Sequence, residues 1–266
     1  MCIPIKLTSK DEKIMEEKNF DHTAHPLKLN LGCGFDKKEG YLNIDFNDFH
    51  DPDLVANVCN LEMLPCGYYE EIIAYDVLEH ITRNKTKLVL SEWNRLLKKG
   101  GILHLQVPDL PGILSLLMKD EYQSLEQQEV LVHCLFGSQQ YHGDFHHTGF
   151  TEMIIRSYLE ETGFETESVA RKDEWLLQVS AKKIKECVLG ELLSIQDHTE
   201  FVATAYMNIL ERKPDKDGFK YYTERLISGE MDKGSVLISL LYSDEKKKLS
   251  ERVSGTPAGS SDRIKR

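Results

Sequence analysis

The chain has no Cys-x-x-Cys pair, no long apolar run and no excess of positive charge. Its six cysteines (Cys2, Cys33, Cys59, Cys66, Cys134 and Cys187) lie far apart, which excludes a zinc ribbon or dithiol redox motif and predicts free, mostly buried thiols. No apolar stretch approaches bilayer-crossing length, and the first residues lack the charged-then-apolar order of a signal peptide. A cytoplasmic location without a membrane span is therefore expected. The formal net charge of −11 lacks the electrostatic footprint of a phosphate-backbone binder, so nucleic acid is not the expected partner. The local clusters Lys98-Lys99 and Lys246-Lys247-Lys248 read as solvated helix ends or faces. What is present is a hydrophobic content of 41% over 266 residues, enough to build one large or two small cores.

The chemistry concentrates first at Leu29-Asn30-Leu31-Gly32-Cys33-Gly34. Asp45 follows Gly34 by eleven residues, at the end of Tyr41-Leu42-Asn43-Ile44-Asp45. A short apolar strand running into glycines lets backbone N–H groups approach a ligand, and an acidic residue closing the next strand can accept both hydroxyls of a ribose. A bare Gly-x-Gly also occurs in ordinary turns. The ordered elements that follow, as far as Pro108, favour a nucleoside site at the carboxyl ends of parallel strands.

Along the chain, residues 1–26 form a polar extension with at most a short leading helix, and Lys28 to Leu31 is the first strand. The ten residues from Gly32 to Tyr41 leave room for little more than a stunted helical turn before the second strand. Asp53 to Val58 and Glu71 to Tyr75 read as the third and fourth strands. Residues 84–98 carry a helical period with Gly100-Gly101 as its C-cap, and Ile102 to Val107 is a strand stopped by Pro108. One or two helices lie between Pro111 and His133, followed by a loop rich in glycine and histidine from Gly137 to Gly149. Thr151 is the expected N-cap of the next helix, with Phe150 and Ile155 as a hydrophobic staple and Gly163 just past its end. Phe164 to Val169 and Trp175 to Ala181 pair as an antiparallel edge hairpin.

Beyond Lys185 the pattern is helical only, at about 198–210, 219–227 and 233–242. The expected division is an extension (1–26), an α/β domain (27–185), a small all-α domain (190–250) and a loose tail (251–266). The expected fold class is α/β: a Rossmann-like, doubly wound, mostly parallel seven-stranded sheet with the antiparallel hairpin at its edge, plus the all-α domain.

Residues 27–181 resemble the class I S-adenosylmethionine-dependent methyltransferases, especially the bacterial branch carrying L-N-L-G-C-G, G-Y-L-N-I-D and V-L-E-H. The resemblance implies S-adenosylmethionine as cofactor, with Gly32, Cys33 and Gly34 around its methionine end and Asp45 on its ribose. It implies that Asn60 and Leu61 border the adenine and that Tyr75 and Asp76 meet the methionine moiety. Asn30 and His80 complete the implied cofactor-contacting set, while Glu79 reads as structural. Arg95-Leu96-Leu97-Lys98-Lys99-Gly100-Gly101 resembles the family's R-x-L-K-P-G-G turn with Lys99 in place of proline, and Phe35-Asp36 stands where a third glycine is often found. No D/N-P-P-Y sequence follows the fourth strand, so O-methylation is expected rather than amino-methylation of adenine or glutamine.

Methyl transfer to a hydroxyl requires alignment and removal of a proton. The richest source of a base is Gln139 to Phe150, with Asp144, His142, His146 and His147 as catalytic candidates. His146 could act as base oriented by Asp144, or Asp144 could hold a divalent metal with His142 or His147; spacing does not separate these from a polar lid, and the metal is not favoured.

Residues 198–250 resemble a small bacterial helical domain of unknown function that recurs in surface-layer and glycan-processing proteins, through Tyr206, Leu210, Arg212, Pro214, Asp215, Gly218, Tyr221 and Ser243. Asp215-Lys216-Asp217-Gly218 lacks the remaining EF-hand ligands and reads as a helix cap. The resulting expectation is methylation of a sugar hydroxyl in bacterial surface polysaccharide or glycan synthesis, with a glycan or small-molecule acceptor and a protein partner at residues 190–250. The alternatives are a metabolite or lipid-linked acceptor, and a non-catalytic scaffold.

Overall fold

The computed structural model describes residues 20–140 and 143–254. The chain divides into two compact units between Gly190 and Glu191.

The first unit contains seven strands: β1 (Lys28–Leu31), β2 (Leu42–Asp45), β3 (Leu54–Val55), β4 (Tyr69–Tyr75), β5 (Leu97–Pro108), β6 (Phe164–Lys172) and β7 (Leu176–Lys183). Its helices are α1 (Thr86–Leu96), α2 (Leu110–Leu117), α3 (Leu125–Phe136) and α4 (Glu152–Glu161). The strands form one sheet in the order β3-β2-β1-β4-β5-β7-β6. β1 to β5 pair in parallel, while β7 runs antiparallel between β5 and β6. This is the doubly wound α/β fold expected from the sequence. The order reverses at β1, whose neighbours are β2 on one side and β4 on the other, so the switch point lies beside the glycine loop.

The inner strands are buried on both faces, which is why Leu29, Leu31, Leu42, Ile44, Ile72 and Ala74 are apolar and fully covered. α1 lays Val89, Leu90, Trp93 and Leu96 into the same core. Trp93 is completely buried, and its indole Nε1–H donates to the Val58 carbonyl at 3.0 Å. Thr151 caps α4 by accepting from the Ile154 amide, with Phe150 and Ile155 both buried as the predicted staple.

Three local expectations differ. Residues 32–41 contain turns and no helix, since the Cys33 amide is drawn to the Ile44 carbonyl and the buried Asn30–Asn43 side-chain pair shapes the return. Gly100-Gly101 does not cap α1: the helix stops at Leu96, Leu97 is already extended, and β5 runs through both glycines. β3 shrinks to two residues.

The second unit is helical, with α6 (His198–Leu210), α7 (Lys216–Ser228), α8 (Lys233–Leu241) and α9 (Asp244–Ser254), preceded by α5 (Val188–Ser194). α6 packs against the other three through buried Phe201, Val202, Ala205 and Ile209. Asp197, Asp215 and Asp232 cap α6, α7 and α8, each accepting from a backbone amide three residues on. Asp215 is thus a helix cap, as read from the sequence. α9 extends to Ser254, into the stretch expected to be a loose tail. The remainder of that tail and most of the N-terminal extension lie outside the described residues.

Candidate functional site

A cleft of about 1000 Å3 opens at the carboxyl ends of the central strands. The loop after β1, the end of β2, the loop after β3, the turn after β4 and the inner positions of β5 and β7 all contribute to it. Of the predicted cofactor residues, Asn30, Gly32, Cys33, Gly34, Asp45, Tyr75, Asp76 and His80 line this one space.

Gly32 and Gly34 both have positive φ, at +62° and +50°. At Gly32 a Cβ would also lie 2.6 Å from a methyl of Val77, so glycine is required there both for conformation and for contact with the turn after β4. Asn30 and Asn43 occupy paired positions of β1 and β2. The Asn30 amide donates to Asn43 Oδ1 and to the Asp36 carbonyl, each at 2.9 Å, while Asn43 also donates to Asp53 at 2.8 Å. This buried network fixes the glycine loop against the sheet, which makes Asn30 a positioning residue as well as a lining one.

Asp45 is almost fully buried and receives three protein donors. The Gly34 amide donates to Oδ2 at 2.8 Å, and the Asn47 amide and His50 Nδ1–H donate to Oδ1 at 2.8 and 2.9 Å. A carboxylate has about four acceptor positions, so one remains for a ligand. His50 was not foreseen, because nothing local in the sequence marks a ring that returns to the strand end. Phe35, Phe46 and Phe49 are exposed around this end of the cleft, and His50 lies edge-on to Phe35 at 4.6 Å between ring centroids.

The two residues expected to border the adenine are not in the cleft lining. Leu61 does not line the cleft: it is fully buried in the core, with its amide donating to Glu92 Oε1 at 3.0 Å. Asn60 is likewise absent from the lining, and Asn57, Val58 and Cys59 take its place. The cause is a buried pair on α1. Arg95 holds Glu92 through two hydrogen bonds of 2.7 Å and donates to the carbonyls of Leu61 and Leu64 at 3.0 Å, pulling the loop inward from residue 61 onward.

The opposite wall carries the titratable groups. Asp76 sits at φ +56°, a left-handed conformation uncommon outside glycine, and accepts from Gln106 Nε2 at 2.8 Å; Gln106 in turn accepts from Gln178 at 2.9 Å. Burial raises the Asp76 carboxyl above its usual range, against the hydrogen bond from Gln106 and the charges of His146 and Lys172. Burial pushes the Cys33 thiol up to about 11, with Asp45 and Asp53 adding to the effect.

Glu79 is wholly buried, and among the described residues its Oε2 has no hydrogen-bond partner. Desolvation holds its carboxyl well above the ordinary value, with Asp76 adding. Its backbone carbonyl accepts from the amides of His147 (2.7 Å) and Thr148 (3.2 Å), fastening the histidine loop over the turn after β4.

His146 packs edge-on against His80, with ring centroids 4.8 Å apart. Nδ1 of His146 lies 3.1 Å from the Cys134 carbonyl, and Nδ1 of His80 lies 3.3 Å from the Phe145 carbonyl. Burial lowers the pKa of both rings. Among the described residues Asp144 makes no hydrogen bond to His146; its carboxylate accepts from the Ser138 hydroxyl. The His147 ring is exposed beside Phe145. His142 lies outside the described residues. Among the described residues, the metal-ligating candidates that converge are Glu79, His80 and His146.

The family described as "Domain of unknown function (DUF4214)" matches residues 192–250. No curated protein matches the chain. Among solved structures, the chain is similar to a possible exported protein from Bordetella parapertussis (13% identity, 66% of this chain and 68% of that one, TM-score 0.46). It is also similar to a SAM-dependent methyltransferase from Methanosarcina mazei (19% identity, 60% and 92%, TM-score 0.45). A third is the Burkholderia thailandensis 1,6-didemethyltoxoflavin-N1-methyltransferase, solved with 1,6-didemethyltoxoflavin and S-adenosylhomocysteine bound (14% identity, 65% and 79%, TM-score 0.41). At this level of similarity none of them assigns a function to the chain.

Proposed function

We propose that the α/β unit is an S-adenosylmethionine-dependent methyltransferase acting on a hydroxyl, with a sugar of a bacterial surface polysaccharide or glycan as acceptor. The observation that carries this is the convergence of Gly32 to Gly34, Asp45 and the Tyr75-Asp76 turn, from three successive sheet neighbours, on one cleft of about 1000 Å3. Such a volume suits a nucleoside cofactor with part of an acceptor. When bound, S-adenosylmethionine supplies a methyl group on a sulfonium, open to in-line displacement by the acceptor oxygen.

The residues present fit that ligand. Asp45 retains an acceptor position for a ribose hydroxyl, and Gly34 leaves the end of β1 open because no side chain stands there. Asp76, Gln106, Gln178 and Lys172 give the cleft a polar wall suited to a polyhydroxyl acceptor. The His80–His146 pair presents lone pairs that promote loss of the acceptor proton. The glycan assignment is supported by the resemblance of the helical unit, which is an associational argument. The scaffold alternative is disfavoured by one observation: His146 packs on His80, a cleft residue, rather than facing bulk solvent.

Calorimetric titration with S-adenosylmethionine and S-adenosylhomocysteine tests the proposal, with Asp45→Ala as control. Micromolar binding that the variant loses is the expected result, to be followed by an acceptor screen beginning with nucleotide sugars and oligosaccharides. Absence of binding by folded protein overturns the transferase reading.

A further inference from the structure

We propose that Glu79, His80 and His146 form a binding site for one divalent transition-metal ion of the zinc or cobalt type. A carboxylate oxygen of Glu79 and one ring nitrogen from each histidine all lie within 4.8 Å of one another. Three further observations turn this proximity into a site.

First, Glu79 is 1% exposed and its Oε2 has no hydrogen-bond partner among the described residues. An unpaired buried carboxylate oxygen is costly, and a cation is the ligand that removes the cost. Second, each histidine turns Nδ1 toward a backbone carbonyl, His80 to Phe145 and His146 to Cys134. A carbonyl only accepts, so with Nδ1 protonated in the neutral ring the lone pair lies on Nε2, and at His80 the Gly143 carbonyl also contacts the ring. A carbonyl behind the ring is the arrangement that fixes tautomer and orientation in metal-ligating histidines. Third, the elements that bring the three together are held independently of the side chains. His147 and Thr148 donate to the Glu79 carbonyl, and the Thr148 hydroxyl donates to Ile81 O at 2.8 Å, so the histidine loop is anchored to the turn that carries Glu79 and His80.

Two imidazoles and one carboxylate favour zinc-like ions over calcium or magnesium, and three protein ligands leave a position open. His80 lines the cleft, so an ion it held would stand beside that space. On the transferase reading, an ion there would polarise the acceptor hydroxyl and ease loss of its proton, and His146 would be a ligand rather than the base. Binding itself does not depend on that reading, so its test needs neither cofactor nor acceptor.

The test titrates Co2+ into tag-free, chelator-treated full-length protein and follows the visible absorption of tetrahedral or five-coordinate cobalt. One ion per chain is expected. Glu79→Gln and His146→Ala should each weaken binding more than about 100-fold, beyond the effect of losing an outer hydrogen-bond partner. His133→Ala, an exposed position on α3, should leave it unchanged. Circular dichroism checks each variant, and the half-buried loop position of His146 keeps the test open should the Glu79 variant not fold. Failure of folded wild-type protein to take up Co2+ overturns the proposal. So does equal affinity in wild type, Glu79→Gln and His146→Ala, which would place the ion elsewhere.

Discussion

The two walls of the cleft treat a buried carboxylate in opposite ways. At the end of β2, Asp45 is enclosed by three donors and braced by the Asn30–Asn43 network behind it. After β4, Glu79 is buried more deeply, yet an oxygen of its carboxylate has no partner among the described residues. The protein itself holds the first carboxylate and leaves an oxygen of the second without a partner among the described residues. Satisfied groups hold a site in shape, whereas an unsatisfied one marks where something is to be bound.

The contrast can be broken most severely at its support. Glu92→Ala leaves the Arg95 guanidinium buried without its carboxylate and frees the loop from Asn57 to Leu64. A loss of about 3–5 kcal/mol is expected, read as a fall of roughly 6–20 °C in the melting temperature of the α/β unit. A change within about 2 °C would show that the pair does not hold this wall.

A smaller effect is expected at the strand end. Asp45→Ala orphans the Gly34 and Asn47 amides and the His50 ring, and should cost about 1–3 kcal/mol in chemical denaturation. The smallest effect has the opposite sign. In chelator-treated protein, Glu79→Met replaces an unpaired buried carboxyl with an apolar chain of similar length and should stabilise by about 1 kcal/mol. Added Co2+ should then stabilise the wild type but not the variant. A destabilised Glu79→Met protein would place the two walls on the same footing.

Much of this architecture is legible in the sequence because it is written locally. β1, β2 and β4 are apolar runs that end in glycine or acidic residues, and Thr151 announces α4 by its position before an apolar period. The failures have a common cause, which is a partner distant in sequence. Leu61 left the cleft because Arg95 and Glu92, some thirty positions on, pull its backbone inward. Asp144 faces Ser138 and His146 turns Nδ1 to the Cys134 carbonyl, partners that the spacing of the loop does not show. Glu79 looks structural in the sequence because its isolation depends on the histidine loop folding over it from almost seventy residues away. α9 is not among the expected helices because a charged helix resembles a solvated tail in composition.

The crossover from β1 to β2 has a consequence for cofactor choice. Dinucleotide-binding folds place a pyrophosphate at the N-terminus of the helix that follows the first strand, where aligned peptide dipoles attract negative charge. Here residues 32–41 turn back without forming that helix, so no macrodipole stands behind the glycine loop. The chain carries a net charge of −11, which adds a general repulsion toward polyphosphates. On the proposed function, the missing helix would favour a nucleoside that ends in an uncharged or zwitterionic group over nicotinamide and flavin dinucleotides at the same strand ends.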